Sequence, residues 1–287
     1  MGGQTPTIPD AYFFGDIKKG ETQILRNRML KPSDKLCDSL KGGEDTCLKM
    51  FLKTYNENKK SLFIGSRSVE AGKIGNFKWL SYEQVYIDAM KFSKGLSELG
   101  LCPYVDLKEK TKFFGIFSNN RIEWVIADIA CWMDSVTIIP FIFGMDSVGI
   151  SHIFAQSQLS TLLISSANYK KILDCYKEKR IPSLKNLISL DPLEETLIKE
   201  SENEGLKLYY FKDILEIGNK SQKELTPSTP ETIFTISYTS GTTSTPKGVV
   251  LTHKAASVLA AAISSGTYLN ISRIKTLISI LPLAHLM

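Results

Sequence analysis

Ten consecutive residues, Thr239-Ser240-Gly241-Thr242-Thr243-Ser244-Thr245-Pro246-Lys247-Gly248, gather six hydroxyls, two glycines and one lysine. Hydroxyls and free backbone N–H groups can surround a polyphosphate without the mutual repulsion of a cationic cluster. Glycine lets the backbone come close, and one lysine supplies charge where negative oxygens develop. A flexible Ser/Thr/Gly linker has a similar composition. Here, however, the apolar run at 233–238 enters the segment and Val249-Val250-Leu251 leaves it, so the loop is pinned at both ends and reads as a phosphate cradle. It is not a Walker loop, which needs G-x-x-x-x-G-K-[ST] running straight into a helix. Pro246 precedes Lys247, Gly248 follows it, and a β-branched strand intervenes before a helix expected from about Thr252.

The elements that must position this loop are legible upstream. Ser81 with Gln84 three residues on forms a capping box, and Tyr82, Val85, Tyr86, Ala89, Phe92, Leu96 and Leu99 follow at helical spacing to a stop at Gly100. The pattern then predicts a strand at 113–117, a helix at 120–133, a strand at 136–139 ended by Pro140, and a helix at 146–156 capped by Asp146. A strand at 162–165, a helix at 168–179 and a strand at 187–190 continue the alternation. Continuous apolar strands, each followed by a helix, mean an α/β fold, with a parallel or mixed sheet covered by helices on both faces. Residues 191–230, with Glu194, Glu195, Glu202, Glu204 and three prolines, are expected to be a surface excursion with one short strand at 206–211. A further strand is expected at 276–281. Residues 1–60 read as a loosely packed N-terminal arm with one helix near 46–55.

Composition excludes several classes. The chain has 287 residues, 43% hydrophobic and 23% charged, which places it among globular proteins and away from disordered or disulfide-scaffold chains. No apolar run reaches the roughly 18 to 20 residues of a membrane span; 124–133 is interrupted by Asp128 and 136–145 by Pro140. Residues 1–19 carry Asp10 and Asp16 without an apolar core and do not read as a secretory signal, so the simplest address is intracellular. Pro6 stands where myristoylation needs Ser or Thr. Five widely spaced cysteines offer neither a zinc pair nor a disulfide framework. The net charge of +5 is scattered, which argues against a nucleic-acid partner while permitting weak attraction to anionic lipid.

Tyr238 to Gly248 resembles the signature loop of the adenylate-forming enzymes, Y-T-S-G-T-T-G-x-P-K-G, with Ser244 in place of a glycine. That exchange costs backbone freedom where φ is positive. Trp79-Leu80-Ser81-Tyr82, the run Gly115-Ile116-Phe117-Ser118-Asn119-Asn120-Arg121-Ile122-Glu123-Trp124, and Leu281-Pro282-Leu283-Ala284-His285 resemble the eukaryotic long-chain fatty acyl-CoA synthetase branch. The likeness covers the chain from about Asp45 onward. By residue type, Trp124 is expected in the core and Arg121 with Glu123 in an ion pair. His253 is expected to be structural or capping, and His152 packed or half-exposed.

The resemblance implies an acetyl-CoA synthetase-like fold and a reaction in which a fatty acid carboxylate attacks the α-phosphate of ATP. Pyrophosphate leaves, and coenzyme A then opens the acyl-adenylate. Carried onto this chain, Thr239, Ser240, Gly241, Thr242, Thr243 and Ser244 would hold phosphate, with Lys247 neutralising the departing pyrophosphate. Thr242 or Thr243 would help hold Mg²⁺. His285 would donate to the carboxylate oxygen, an assignment that competes evenly with a histidine satisfied in the core. The family's adenine, ribose and C-terminal lysine segments lie downstream of L-P-L-A-H. Residues 61–287 are therefore expected to be the first part of the large AMP-binding domain, without the mobile C-terminal domain, and these 287 residues alone are expected to be inactive. The alternatives left open are a medium-chain or aryl acid-CoA ligase, and a non-catalytic relative that only binds nucleotide or acyl ligand.

Overall fold

The structure, a computed structural model, describes residues 11–28, 31, 33, 42–70, 73–107, 109–239, 246–264 and 276–285. The chain falls into two compact units, Met1–Asp38 and Ser39–Met287. In the first, β1 (Ala11–Phe14) and β2 (Ile24–Asn27) form an antiparallel hairpin. The Arg26 guanidinium lies 3.8 Å from the Phe14 ring centroid, a cation–π contact.

The second unit opens with α1 (Cys47–Asn58), the hairpin of β3 (Leu62–Glu70) and β4 (Lys73–Ser81), and α2 (Tyr82–Glu98). Then follow β5 (Tyr104–Asp106), β6 (Lys110–Phe117), α3 (Ile122–Met133), β7 (Val136–Pro140), α4 (Ser147–Ser157), β8 (Thr161–Ile164) and α5 (Ser166–Lys177). The chain continues through β9 (Asn186–Ser189), α6 (Glu195–Asn203), β10 (Lys207–Tyr210), α7 (Phe211–Lys220), β11 (Ile233–Thr239), β12 (Lys247–Thr252) and α8 (His253–Ser264), with a 3-10 turn at Leu283–His285.

The main sheet runs β10-β9-β8-β6-β7-β11-β12, with β5 paired to β6. Strands β6 to β11 are parallel, whereas β5 and β12 are antiparallel to their neighbours. Every residue of β7, β8 and β9 is buried, as strands covered on both faces require. On β6, Phe114 and Ile116 pack into the core shared with Phe92 of α2 and Ala130 of α3. Phe113 and Phe117 face the opposite way, into the core shared with Phe154 of α4 and Tyr169 of α5. The chain passes from β6 to β7 and then returns to β8 on the far side of β6. In open α/β sheets, such a reversal leaves a crevice outside the carboxyl ends of the strands.

The capping box at Ser81 is present: Ser81 Oγ accepts from Gln84 N at 3.2 Å and Gln84 Oε1 accepts from Ser81 N at 2.8 Å. Asp146 caps α4 through Gly149 N at 2.8 Å. Trp124 is buried in the core between α2, α3 and β6. Among the described residues no helix is long and apolar enough to cross a membrane.

Two expectations fail. Residues 191–230 are not merely a surface excursion, because they contain α6 and α7, and α7 buries Phe211 and Ile214 against α2. A Cβ on Gly218 would fall on the Lys91 carbonyl oxygen, and one on Gly95 would fall on the Ile214 carbonyl, so two missing side chains let α2 and α7 cross in direct backbone contact. Residues 276–281 form no strand, and Leu277, Ile278 and Ile280 are 80%, 76% and 82% exposed. Apolar β-branched composition yields a strand only where a neighbour offers a ladder, and this segment pairs with none among the described residues.

Candidate functional site

The hydroxyl-rich loop joins β11 to β12 at the carboxyl edge of the sheet. Hydroxyls anchor β11 to β7: Thr235 Oγ1 donates to the Ile138 carbonyl at 3.0 Å and Thr137 Oγ1 to the Ile233 carbonyl at 2.8 Å. Across the hairpin, Ser237 pairs with Val249, Tyr238 with Gly248, and Thr239 with Lys247. The two ends of the loop are thus held opposite each other, with Thr239 and Lys247 both exposed to solvent. Lys247 forms no ion pair with any described residue. Ser240, Gly241, Thr242, Thr243, Ser244 and Thr245 lie outside the described residues.

Gly248 has a role the sequence did not suggest. A Cβ there would lie 2.9 Å from Ile236 Cγ2 and 3.3 Å from the Tyr238 ring, so the bare glycine makes room first for Ile236 and then for Tyr238 across the hairpin. Tyr238 is itself buried, and His152 of α4 stands perpendicular to its ring at 6.3 Å. His152 is thus a partly buried packing side chain.

At the same edge, the loop from β6 to α3 carries Asn120 and Arg121. Arg121 donates to both carboxylate oxygens of Glu123, at 2.9 and 3.0 Å, and to Asp191 at 2.8 Å. The expected ion pair exists and is enlarged by a carboxylate 70 residues away. Burial works against the charge on Glu123, yet hydrogen bonding from Arg121 holds its carboxyl below the usual range. Asp191 also accepts from Ser166 N at 2.9 Å, tying the start of α5 to the same cluster.

Asn120, in sequence only one member of the 115–124 motif, has a specific task in the structure. Its Nδ2 donates to the carbonyls of Ser279 at 3.2 Å and Leu281 at 2.7 Å, and its Oδ1 accepts from Leu283 N at 2.7 Å. The L-P-L-A-H segment is therefore hung from the carboxyl end of β6, the strand two places from β11 in the sheet. His285 closes the 3-10 turn that begins at Leu283, and its side chain lies outside what the structure describes.

His253 is structural. It is 0% exposed, and its ring stands edge-on to Phe234 at 5.3 Å and to Trp132 at 6.4 Å. Burial drives its pKa down to about 4, and neither ring nitrogen has a partner among the described residues. Capping of α8 falls to Thr252 instead, whose Oγ1 accepts from Ala255 N at 3.2 Å.

The donor set at the loop, hydroxyl oxygens and one cation, suits phosphate oxygens and a hard cation such as Mg²⁺, which takes few protein ligands and keeps the substrate phosphates as the rest. Among the described residues, no cluster of three or more His, Cys, Asp or Glu could hold a metal alone.

The chain is 34% identical over 240 residues to fatty acyl-CoA synthetase A of Dictyostelium discoideum, covering 83% of this chain and 34% of that one. It is 30% identical over 213 residues to long-chain-fatty-acid–CoA ligase 1 of Homo sapiens, covering 73% of this chain and 30% of the relative. The chain thus spans about a third of the length of the curated relatives it matches. Among solved structures, the adenylation domain of a carboxylate reductase from Mycobacterium chelonae aligns with a TM-score of 0.64 at 18% identity, over 83% of this chain and 38% of that one. The A domain of a carboxylic acid reductase from Segniliparus rugosus, in complex with AMP and a co-purified carboxylic acid, aligns with a TM-score of 0.64 at 15% identity, over 83% of this chain and 40% of that one. These two likenesses establish the fold. Residues 60–287, a stretch that takes in the hairpin of Thr239 and Lys247 and the segment held by Asn120, match the family described as AMP-binding enzyme, and the chain belongs to that family.

Proposed function

We propose that the polypeptide to which these residues belong activates a long-chain fatty acid with ATP, first as the acyl-adenylate and then as the coenzyme A thioester. The observation that carries the reading is the β11–β12 hairpin, which sets Thr239 and an exposed Lys247 opposite each other at the carboxyl edge of the sheet. The names of the relatives, fatty acyl-CoA synthetase and long-chain-fatty-acid–CoA ligase, supply the substrate class.

In this reading the fatty acid carboxylate oxygen bonds to the α-phosphorus of ATP and the bond to the β-phosphate oxygen breaks, releasing pyrophosphate. The coenzyme A thiol then attacks the acyl carbon, and AMP leaves. Thr239, Ser240, Gly241, Thr242 and Thr243 hold the β- and γ-phosphates through hydroxyl and backbone donors, while Lys247 meets the charge that builds on the departing pyrophosphate. Mg²⁺ held with Thr242 or Thr243 would neutralise phosphate charge. His285 donates to the carboxylate oxygen and orients it for attack. The rest of the rate enhancement is positional, since no covalent bond to the protein is needed.

The test is ATP–pyrophosphate exchange driven by palmitate, measured on the polypeptide that the whole reading frame encodes. Lys247→Ala should slow exchange about a hundredfold, the scale of losing one preorganised electrostatic contact, while leaving the melting temperature unchanged. Exchange at the wild-type rate would overturn the role of Lys247. Octanoate and benzoate in place of palmitate separate the long-chain reading from medium-chain and aryl ligases.

A further inference from the structure

The segment that carries His285 lacks the support a buried strand would give it. Residues 276–281 are exposed and pair with no strand among the described residues. Yet three alternate peptide groups of this stretch, the carbonyls of Ser279 and Leu281 and the N–H of Leu283, converge on the carboxamide of Asn120. Ser279 Oγ lies at 3.4 Å from the same Nδ2. A carboxamide carries both donors and acceptors on one rigid plane, so a single Asn can imitate a strand edge where no strand exists. These bonds span 159 to 163 residues of sequence.

The side chain doing this is itself held. Asn120 follows directly on β6, and the next residue, Arg121, is fixed by two bonds to Glu123, one to Asp191 and one to the Leu190 carbonyl at 3.4 Å. Beside the clamp in sequence, Leu283 packs against the core cluster that includes Phe114, Trp124 and Ile188, and Ala284 is buried. The turn of Leu283–His285 is therefore located by one polar anchor and one apolar anchor.

We infer that Asn120 is a positioning residue for adenylate formation, acting through the backbone that carries His285. The inference rests on the function proposed above and goes beyond it by naming a residue whose described contacts are to backbone and Ser279, not to Lys247 or the His285 side chain. Asn120→Asp keeps the shape and the acceptor for Leu283 N–H but sets an oxygen against two carbonyl oxygens, so it should damage the clamp at least as much as Asn120→Ala. Misplacing a reacting group by about an ångström can cost on the order of a hundredfold in rate, and a loss of ten- to a hundredfold in palmitate-driven exchange is expected for either variant. The loss should fall on kcat rather than on the KM for ATP.

A double-mutant cycle with His285→Ala in the polypeptide of the whole reading frame distinguishes positioning from general support. If Asn120 acts through His285, Asn120→Asp should slow the His285→Ala enzyme less than twofold further; fully multiplicative losses would overturn the inference. It is also overturned if His285→Ala slows exchange while Asn120→Asp does not, which leaves the proposed function intact. If the unaltered polypeptide shows no palmitate-driven exchange, the proposed function fails and the inference fails with it; if it exchanges and His285→Ala does so at the same rate, the inference alone is overturned. Amide hydrogen exchange reads the clamp independently of activity. The Leu283 amide should exchange at least tenfold faster in Asn120→Ala, and unchanged protection would refute the positioning itself.

Discussion

At the amino end of β6, Lys112 meets Asp134 at 2.8 Å with only 13% and 10% of the two side chains exposed, and Asp134 also accepts from Thr226 N at 3.0 Å. Ser135 Oγ closes the arrangement on the Thr226 carbonyl at 2.8 Å. At the carboxyl end of the same strand, Asn120 reaches outward to an exposed segment, and Thr239 and Lys247 of the nearby hairpin face solvent. The amino-end polar groups satisfy one another; at the carboxyl end Asn120 and Arg121 are spent on holding the backbone, and it is Thr239 and Lys247 of the hairpin that face solvent. One end of the sheet is thus closed, its polar groups bonded to one another, and the other is open at the hairpin, where two polar side chains stay exposed.

Breaking the closed end should show the largest effect. Asp134→Ala leaves Lys112 nearly buried without its partner and Thr226 N–H without an acceptor. Removing one member of a buried pair costs about 3–5 kcal/mol, to be read by urea unfolding. A loss below about 1 kcal/mol would dissolve the contrast.

The pH dependence of stability sharpens it, since the ionisable groups enclosed around Trp132 lie away from the loop. Burial raises the Asp128 carboxyl to about 7, against the hydrogen bond that Trp132 Nε1 donates to it at 3.0 Å. His253, on the other flank of Trp132, is depressed to about 4 by burial. Between the ordinary carboxylate value and about 7, folded Asp128 binds a proton that the unfolded chain has lost, so its contribution falls as pH rises through that window. Between about 4 and the ordinary imidazole value the unfolded chain binds a proton that folded His253 refuses, so that contribution grows with pH. The two oppose each other in the wild type. His253→Phe should lose less stability than the wild type on acidification from pH about 6.5 to 4.5, and Asp128→Asn should lose more. Each difference should reach at most about 1.4 kcal/mol per pH unit. Chemical denaturation at a series of pH values measures both, and identical pH profiles for the three proteins would refute the assignment.

The smallest effect belongs to the open end. Lys247→Ala should change unfolding free energy by no more than about 0.5 kcal/mol, as for exposed residues without partners, even as it slows the exchange reaction. A variant that lost several kcal/mol would show that Lys247 supports the hairpin and is not held ready for an anion.

The same contrast explains what could be read from the sequence. The closed interior announces itself by pattern. The capping box at Ser81, the helical run from Tyr82, and the fully buried β7, β8 and β9 all lie within a residue or two of expectation, because burial acts through local periodicity. Helix α7 escaped because Lys212, Asp213, Glu216 and Lys220 mask a narrow apolar stripe, and its closest contact with α2 depends on absent side chains at Gly95 and Gly218. The open end announces its chemistry in the hydroxyl loop but not its support. Nothing near Asn120 indicates that its partners lie some 160 residues on, and nothing near Arg121 points to Asp191. The strand expected at 276–281 failed for the related reason that a strand is a property of two segments, and a sequence window shows only one.

Gly248 shows how closely the two kinds of constraint can be interleaved. It stands next to Lys247 within a signature usually read as a message to a nucleotide, yet its missing side chain answers to Ile236 and Tyr238 on the neighbouring strand. The motif therefore overlays two messages with different addressees. A descendant free to shed Lys247 would still meet Ile236 and Tyr238 at the next position, so the presence of Gly248 testifies to the hairpin whatever becomes of its neighbour.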